Sequence, residues 1–234
     1  MRYRYFLYVL LMCLSAYAYA DISVSPIIVD LMGKEAEAQI AVKNFDTKNN
    51  AYVEITPYRL SNPGDHTSSK KRVIHPDKDG LMIFPAKLIL LPGQTQFVRI
   101  IKTAKSVTSD QVYEIDFIPK IATHLINHKS PSGITMGIRV IVGYGARVTL
   151  RPDHPSPSLS FKRIKNEIII KNTGNTLLNI TSCTQNIFNK KSEILLPAYT
   201  LFAGDTIKQK IPQPLPVTLN TSFMGKPSEV LSTN

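Results

Sequence analysis

Gly133–Pro152 reads GITMGIRVIVGYGARVTLRP, and Ile134, Met136, Ile138, Val140, Val142 and Tyr144 recur in it at every second position. Alternate side chains of an extended chain share one face, so one face of this stretch is a ladder of large apolar groups. The other face, Thr135, Gly137, Arg139, Ile141 and Gly143, is thinner and mixed. The β-branched content favours a strand over a helix. From Ile134 to Val142 such a strand spans ~30 Å, more than a typical strand. A long edge strand with one apolar face invites pairing with another chain. Two readings follow: a second sheet covers the ladder, or a partner is meant to join it.

The residues around this stretch bound the class of protein. The chain opens MRYRYFLYVLLMCLSAYAYA. Arg2 and Arg4 form a basic n-region, Phe6 to Leu14 a short apolar core, and Ala18-Tyr19-Ala20 a small-residue cleavage signal. This pattern predicts a secretory signal peptide over 1–20, too short in its apolar part to span a bilayer, and an exported mature chain from Asp21 without membrane insertion. Cys13 leaves with the signal, so Cys183 has no partner for an internal disulfide. Its apolar neighbours, Leu178 and Ile180, predict a buried, inert thiol. The formal charge of +11 falls to +9 once Arg2 and Arg4 are set aside. Export, scattered bases (Lys70-Lys71-Arg72, Lys162-Arg163, Lys190-Lys191) and the lack of Trp argue against nucleic acid as partner.

Strand patterns fill the rest. Ile22–Val29 reads as a strand interrupted by Pro26, Ala36–Asn44 alternates through Ala38, Ile40 and Val42, and Tyr52–Leu60 carries Pro57. Ser61 to Asp65 is a turn, and the polar stretch to Asp79 is expected to be a loop or weak hairpin. Leu81–Leu91 is an apolar run, followed by Pro92-Gly93 and a strand from Thr95 to Lys102. Val112–Ile118 alternates Tyr113, Ile115 and Phe117 against Glu114 and Asp116. Arg151–Ser158, with three prolines, predicts a stiff linker. Beyond it, short strands separated by Asn172-Thr173-Gly174-Asn175, Leu196-Pro197 and Ala203-Gly204-Asp205 predict a second sandwich. No helix signature is evident in the mature chain. The expected architecture is all-β: a domain over 21–151 and another over 152–234, joined at a Pro-rich elbow.

Catalytic chemistry finds little support. His124 and His128 are four apart, but in a loop-like segment without a helix or a glutamate base, so a zinc site is not expected. No nucleophile elbow or phosphate-binding glycine loop is present. Glu114 and Asp116 read as a solvated outer face. Arg147, three residues beyond Tyr144, suits a carboxylate clamp, since a guanidinium offers two parallel charge-assisted hydrogen bonds, although taken alone it reads first as a surface arginine snorkelling over apolar surface. No enzyme, cofactor or metal is expected. An exported two-domain adhesin or glycan-binding sandwich is the alternative class, weakened by the absence of Trp.

The ordered phrases LMIFPAKLILLPGQTQFVRI, VYEIDFIPKI, RVTLRP and IIIKNTGNTLLNI resemble the periplasmic chaperones of the chaperone–usher pathway. This is the PapD-like superfamily, here in a variant branch without paired cysteines. The resemblance covers essentially the whole mature chain. It implies two immunoglobulin-like β-sandwich domains in a boomerang shape and residence in the periplasm. It implies pilus or fimbrial subunits and an outer-membrane usher as partners; whether the free protein caps itself by dimerising is left open by the sequence. It also implies donor-strand complementation, in which Ile134, Met136, Ile138, Val140 and Val142 complete the sandwich of an unfinished subunit by β-augmentation. By its spacing to the Arg-Pro pair, Arg147 matches one of the family's two basic residues that hold the subunit's terminal carboxylate. The other belongs to the first strand, which here reads SPIIVDL without Lys or Arg; Arg139 is the candidate substitute.

Overall fold

The computed structural model describes residues 22–33, 35–64, 68–120, 141–187, 190–194, 199–213 and 215–231. These form two β-sandwiches. The first is built from β1 (Ile22–Ser25), β2 (Ile28–Leu31), β3 (Glu37–Asn44), β4 (Ala51–Ser61), β5 (Ser69–Arg72), β6 (Leu81–Phe84), β7 (Lys87–Leu90), β8 (Thr95–Lys102), β9 (Gln111–Lys120) and β10 (Tyr144–Leu150). One sheet runs β1-β3-β8-β6; the other runs β2-β10-β9-β4-β5, with β7 also on β4. The core lies between them. Ile40, Val42, Val98 and Ile100 face Val53, Ile55, Tyr113, Ile115, Phe117 and Val148, all nearly or fully buried.

Two prolines explain how the sandwich is stitched. The Ile22–Val29 pattern is two strands rather than one interrupted edge. Pro26 ends the antiparallel pairing of β1 with β3, and the chain crosses to pair β2 parallel with β10. The Leu81–Leu91 run likewise divides at Pro85, β6 pairing with β8 and β7 with β4. A residue that cannot donate to a ladder marks the point where the ladder changes partner. Pro57 obeys the same logic inside β4. Its carbonyl accepts from Val73 N–H at 3.0 Å on the outer side, so its missing N–H also falls on that side, between β7 and β5, and not in the ladder with β9.

The polar stretch after Ser61 contains β5, hairpinned onto β4. It also holds a single helical turn, α1 (Pro76–Asp79), contrary to the expectation of no helix. Pro76 opens the turn and Gly80, at φ 85°, closes it in the left-handed region. Four residues are too few for a helical period to show.

The second sandwich holds β11 (Leu159–Ile164), β12 (Glu167–Asn172), β13 (Leu178–Ile187), β14 (Lys190–Ile194), β15 (Tyr199–Leu201), β16 (Thr206–Lys210), β17 (Val217–Phe223) and β18 (Lys226–Leu231). Its sheets are β11-β12-β16 and β14-β13-β17-β18, with β15 on β13. Leu178, Ile180 and Cys183 all enter the core, although 180 and 183 differ in parity. A register shift between Ile180 and Ser182 supplies the extra residue.

Candidate functional site

β10 is covered on one edge by β9 along its whole length, from Tyr144↔Phe117 to Leu150↔Gln111. Its other edge is divided. β2 takes Arg147 to Leu150, and Arg147 N–H donates to Ile27 O at 2.8 Å. Tyr144, Gly145 and Ala146 have no strand on that edge among the described residues. Upstream, Ile141 and Val142 are 41% and 50% exposed and outside any strand. Of the apolar ladder, Val142 and Tyr144 lie among the described residues; Ile134, Met136, Ile138 and Val140 lie outside them, as does Arg139 of the opposite face.

Within β10 the even positions Ala146, Val148 and Leu150 line the first core, and Tyr144 packs against it. The odd positions face away from that core, with Thr149 nonetheless fully buried. There Arg147 sits half-buried with its guanidinium 5.7 Å from the centre of the Phe202 ring, which belongs to the second sandwich. A guanidinium over an aromatic face is attracted by the ring's quadrupole and loses some of its water. Arg147 Nε is buried without a hydrogen-bond partner among the described residues. A buried N–H left unpaired is costly and needs an explanation.

The neighbours of Arg147 show why it is left uncommitted. Across β2 it faces Ile28, which cannot pair with it. Across β9 it faces Glu114, whose carboxylate is held by Lys70 of β5. Lys70 also lies 3.8 Å from Asp116. Burial, then a hydrogen bond shared with Glu114, push the Asp116 carboxyl above its ordinary value against the pull of Lys70. The two acids are thus a clasp for β5, in contrast to the solvated pair expected from sequence.

Arg151, four residues on, shares the unpaired buried Nε but has both Nη atoms engaged. It is 4% exposed. Its Nη1 donates to Thr176 Oγ1 at 3.0 Å and Asp110 Oδ2 at 3.2 Å, and its Nη2 to Asp30 Oδ2 at 3.0 Å. Asp110 also accepts from Leu177 N–H at 2.5 Å. Asp30 and Asp110 belong to the first sandwich; Thr176 and Leu177 lie just before β13 of the second. Around this lock Leu60 and Val112 pack against Leu177 and Phe202, and Tyr199 Oη donates to Gly64 O at 2.6 Å. An adjoining cleft of about 160 Å³ lies between Leu60, Asp110, Phe202 and Asp205. Arg151, one residue beyond β10, thus ties the two sandwiches together, whereas Arg147 has no ion-pair partner among the described residues.

Sequence reasoning treats Arg151 only as half of an Arg-Pro phrase and misses the lock. It also reads Asn172–Asn175 only as a turn. Asn175 Nδ2 donates to His154 O and Thr108 O at 3.0 and 3.2 Å, and its Oδ1 accepts from Ser156 N–H at 2.7 Å, so the turn also grips the linker and the first sandwich. Cys183 is fully buried, and burial pushes its thiol up to about 11. His124 and His128 lie outside the described residues. Among the described residues no cluster of three metal-ligating side chains occurs.

No protein-family model matches the chain, and no curated protein matches it. Solved structures do match. The class 5 fimbriae chaperone CfaA superposes with a TM-score of 0.73 at 20% identity, over 91% of this chain and 99% of its own. A chain of a chaperone–tip adhesin complex in CFA/I fimbriae biogenesis gives 0.72 at 20%, over 91% and 98%. A chain of the complex of Salmonella enterica SafA pilin with the SafB chaperone gives 0.58 at 14%, over 93% and 99%. The chain has the two-sandwich fold of these chaperones.

Proposed function

We propose that the protein is a periplasmic, non-enzymatic chaperone of pilus or fimbrial subunits that caps each subunit with a lent strand and passes it to an outer-membrane usher. In this reading residues 1–20 are removed on export, and 21–151 and 152–234 are the two domains. The carrying observation is the divided edge of β10, without a strand before Arg147 among the described residues and closed by β2 from Arg147 on.

That edge gives a guest its direction. A guest strand on the open part comes up against Ile27, the residue before β2, and lies in line with β2. Since β2 runs parallel to β10, a guest running the same way ends with its carboxylate at Arg147. A guest running the other way would present its amino end to a cation. The guanidinium, without an ion-pair partner among the described residues, favours the first by charge.

Upstream, Ile134, Met136, Ile138, Val140 and Val142 would fill the guest's groove. Burying such side chains contributes about 1.5–3 kcal/mol each before association costs, enough to hold an incomplete sandwich. Arg147 serves as the carboxylate anchor. Arg139, eight residues earlier, would stand ~26 Å away along an extended strand and so would not share that carboxylate.

The test is co-expression with a pilus subunit whose own final strand is missing. Ile138→Asp with Val140→Asp is expected to abolish recovery of the subunit, and Arg147→Ala to reduce it strongly, with Arg147→Lys intermediate. Undiminished recovery with the double aspartate variant would sink the proposal.

A further inference from the structure

Ile27 and Ile28 are each 53% exposed, at the point where β2 closes the edge of β10. Ile28 is the register partner of Arg147, and the Ile27 carbonyl accepts the Arg147 N–H. The charged groups nearest this end of the edge are already taken, Asp30 by Arg151 and Glu114 by Lys70. Among the described residues the anchor is therefore one cation beside two uncovered isoleucines, with the Phe202 ring against the guanidinium.

From this we infer that Ile27 and Ile28 form an apolar clamp for the last side chains of the guest, selecting chains that end in a large apolar residue next to the free carboxylate. The inference rests on the proposed placement of the guest along β10. The occupant follows from continuity. A strand on the open edge terminates against β2, so its final residues meet the first residues of that strand. A second cation would accept any carboxylate with little regard for the side chain beside it, whereas an aliphatic surface rewards only an apolar one. Covering an aliphatic side chain at such a site, or leaving it bare, discriminates by about tenfold or more.

The probe is a set of ten-residue alternating apolar peptides with a free carboxylate, ending in Leu, Ser or Asp, plus the Leu peptide with an amidated end. Binding to the full mature chain is read by fluorescence anisotropy. The Leu peptide is expected to bind about tenfold tighter than the Ser peptide and tighter still than the Asp peptide. With Ile27→Thr and Ile28→Thr, exposed positions where the β-branched shape is kept, that preference is expected to collapse. Amidation and Arg147→Ala are expected to weaken the Leu peptide in both backgrounds.

A Leu preference that survives the double Thr change, or is absent from the native chain while amidation still weakens binding, overturns the clamp and leaves the anchor standing. Insensitivity to both amidation and Arg147→Ala, or binding of no peptide at all, overturns the placement of the guest and the clamp with it.

Discussion

Glu114 stands directly across from Arg147 in the β9–β10 register, yet its carboxylate is held by Lys70 of β5. Register partners in an antiparallel pair share a face, so removing Lys70 leaves Glu114 free to turn to Arg147 directly across from it. Lys70→Ala is expected to let Glu114 occupy the guanidinium and compete with a guest's carboxylate. The pair is partly exposed, and such pairs are worth about 0.2–1 kcal/mol, so guest affinity should fall by up to about fivefold. Lys70→Ala with Glu114→Gln should restore it. Titration of a subunit or peptide against the three proteins checks this; unchanged affinity in the single variant rules the competition out.

Arg151→Ala is expected to destabilise the whole molecule, because it leaves Asp110, whose side chain is 2% exposed, without its cation. Breaking a buried pair in this way costs about 3–5 kcal/mol. The pH dependence has a definite sign. Burial raises the Asp110 carboxyl above its ordinary value, while the Leu177 N–H and Arg151 pull it back. A carboxyl with a raised folded-state pKa binds protons more tightly folded than unfolded. Its contribution is therefore fully present below the ordinary carboxylate range and is lost as pH rises through the folded value. Without Arg151 that value rises further. The deficit of the variant should be largest near neutral pH and shrink as Asp110 becomes protonated. Urea unfolding at neutral and mildly acidic pH reads the difference; a deficit independent of pH would mean that the lost hydrogen bonds to Asp30 and Thr176 carry the effect.

Much of this architecture is legible in the sequence because it rests on local pattern. The period-two runs put Tyr113, Ile115 and Phe117 in the core, all fully buried, and the outward parity of Arg147 follows from the same spacing. What escapes depends on residues distant in the chain. Arg151 meets Asp30, Asp110 and Thr176 at separations of 121, 41 and 25 residues, and no window of sequence contains them together. Pro26 and Pro85 are visible as interruptions, but an interruption does not say which sheet the chain enters next. The β13 bulge has a trace in Leu178, Ile180 and Cys183, whose apolar spacing changes parity.

Gly174 is expected to tolerate no side chain, and for a reason outside its own turn. A Cβ built on it would lie 2.3 Å from Ser156 O and 2.6 Å from Ser158 N, both backbone atoms of the linker. Neither can swing away as a side-chain tip would. Gly174→Ala must push the linker off the second sandwich, at about 1–3 kcal/mol for overpacking. It should also strain the Asn175 bonds to Ser156, His154 and Thr108. A lower thermal midpoint together with a larger radius of gyration in solution scattering is the expected pair of outcomes. A lower midpoint with unchanged dimensions would confine the effect to the turn.

Cys183 supplies a probe of the second sandwich that needs no label engineered into it. The thiolate is the reactive form, and burial in an apolar core both raises the thiol to about 11 and shields it from reagent. Near pH 8 the folded mature protein is therefore expected to react with iodoacetamide orders of magnitude more slowly than the urea-unfolded chain. Because Cys183 packs with Ile180, Val217 and Leu219, its labelling rate reports opening of the β13–β17 core. If the Arg151 lock couples the domains, Arg151→Ala should raise that rate although it lies outside this core. Rapid labelling of the native protein would show that the thiol is not sealed, and equal rates in the native and Arg151→Ala proteins would show that the second sandwich is stable without the lock.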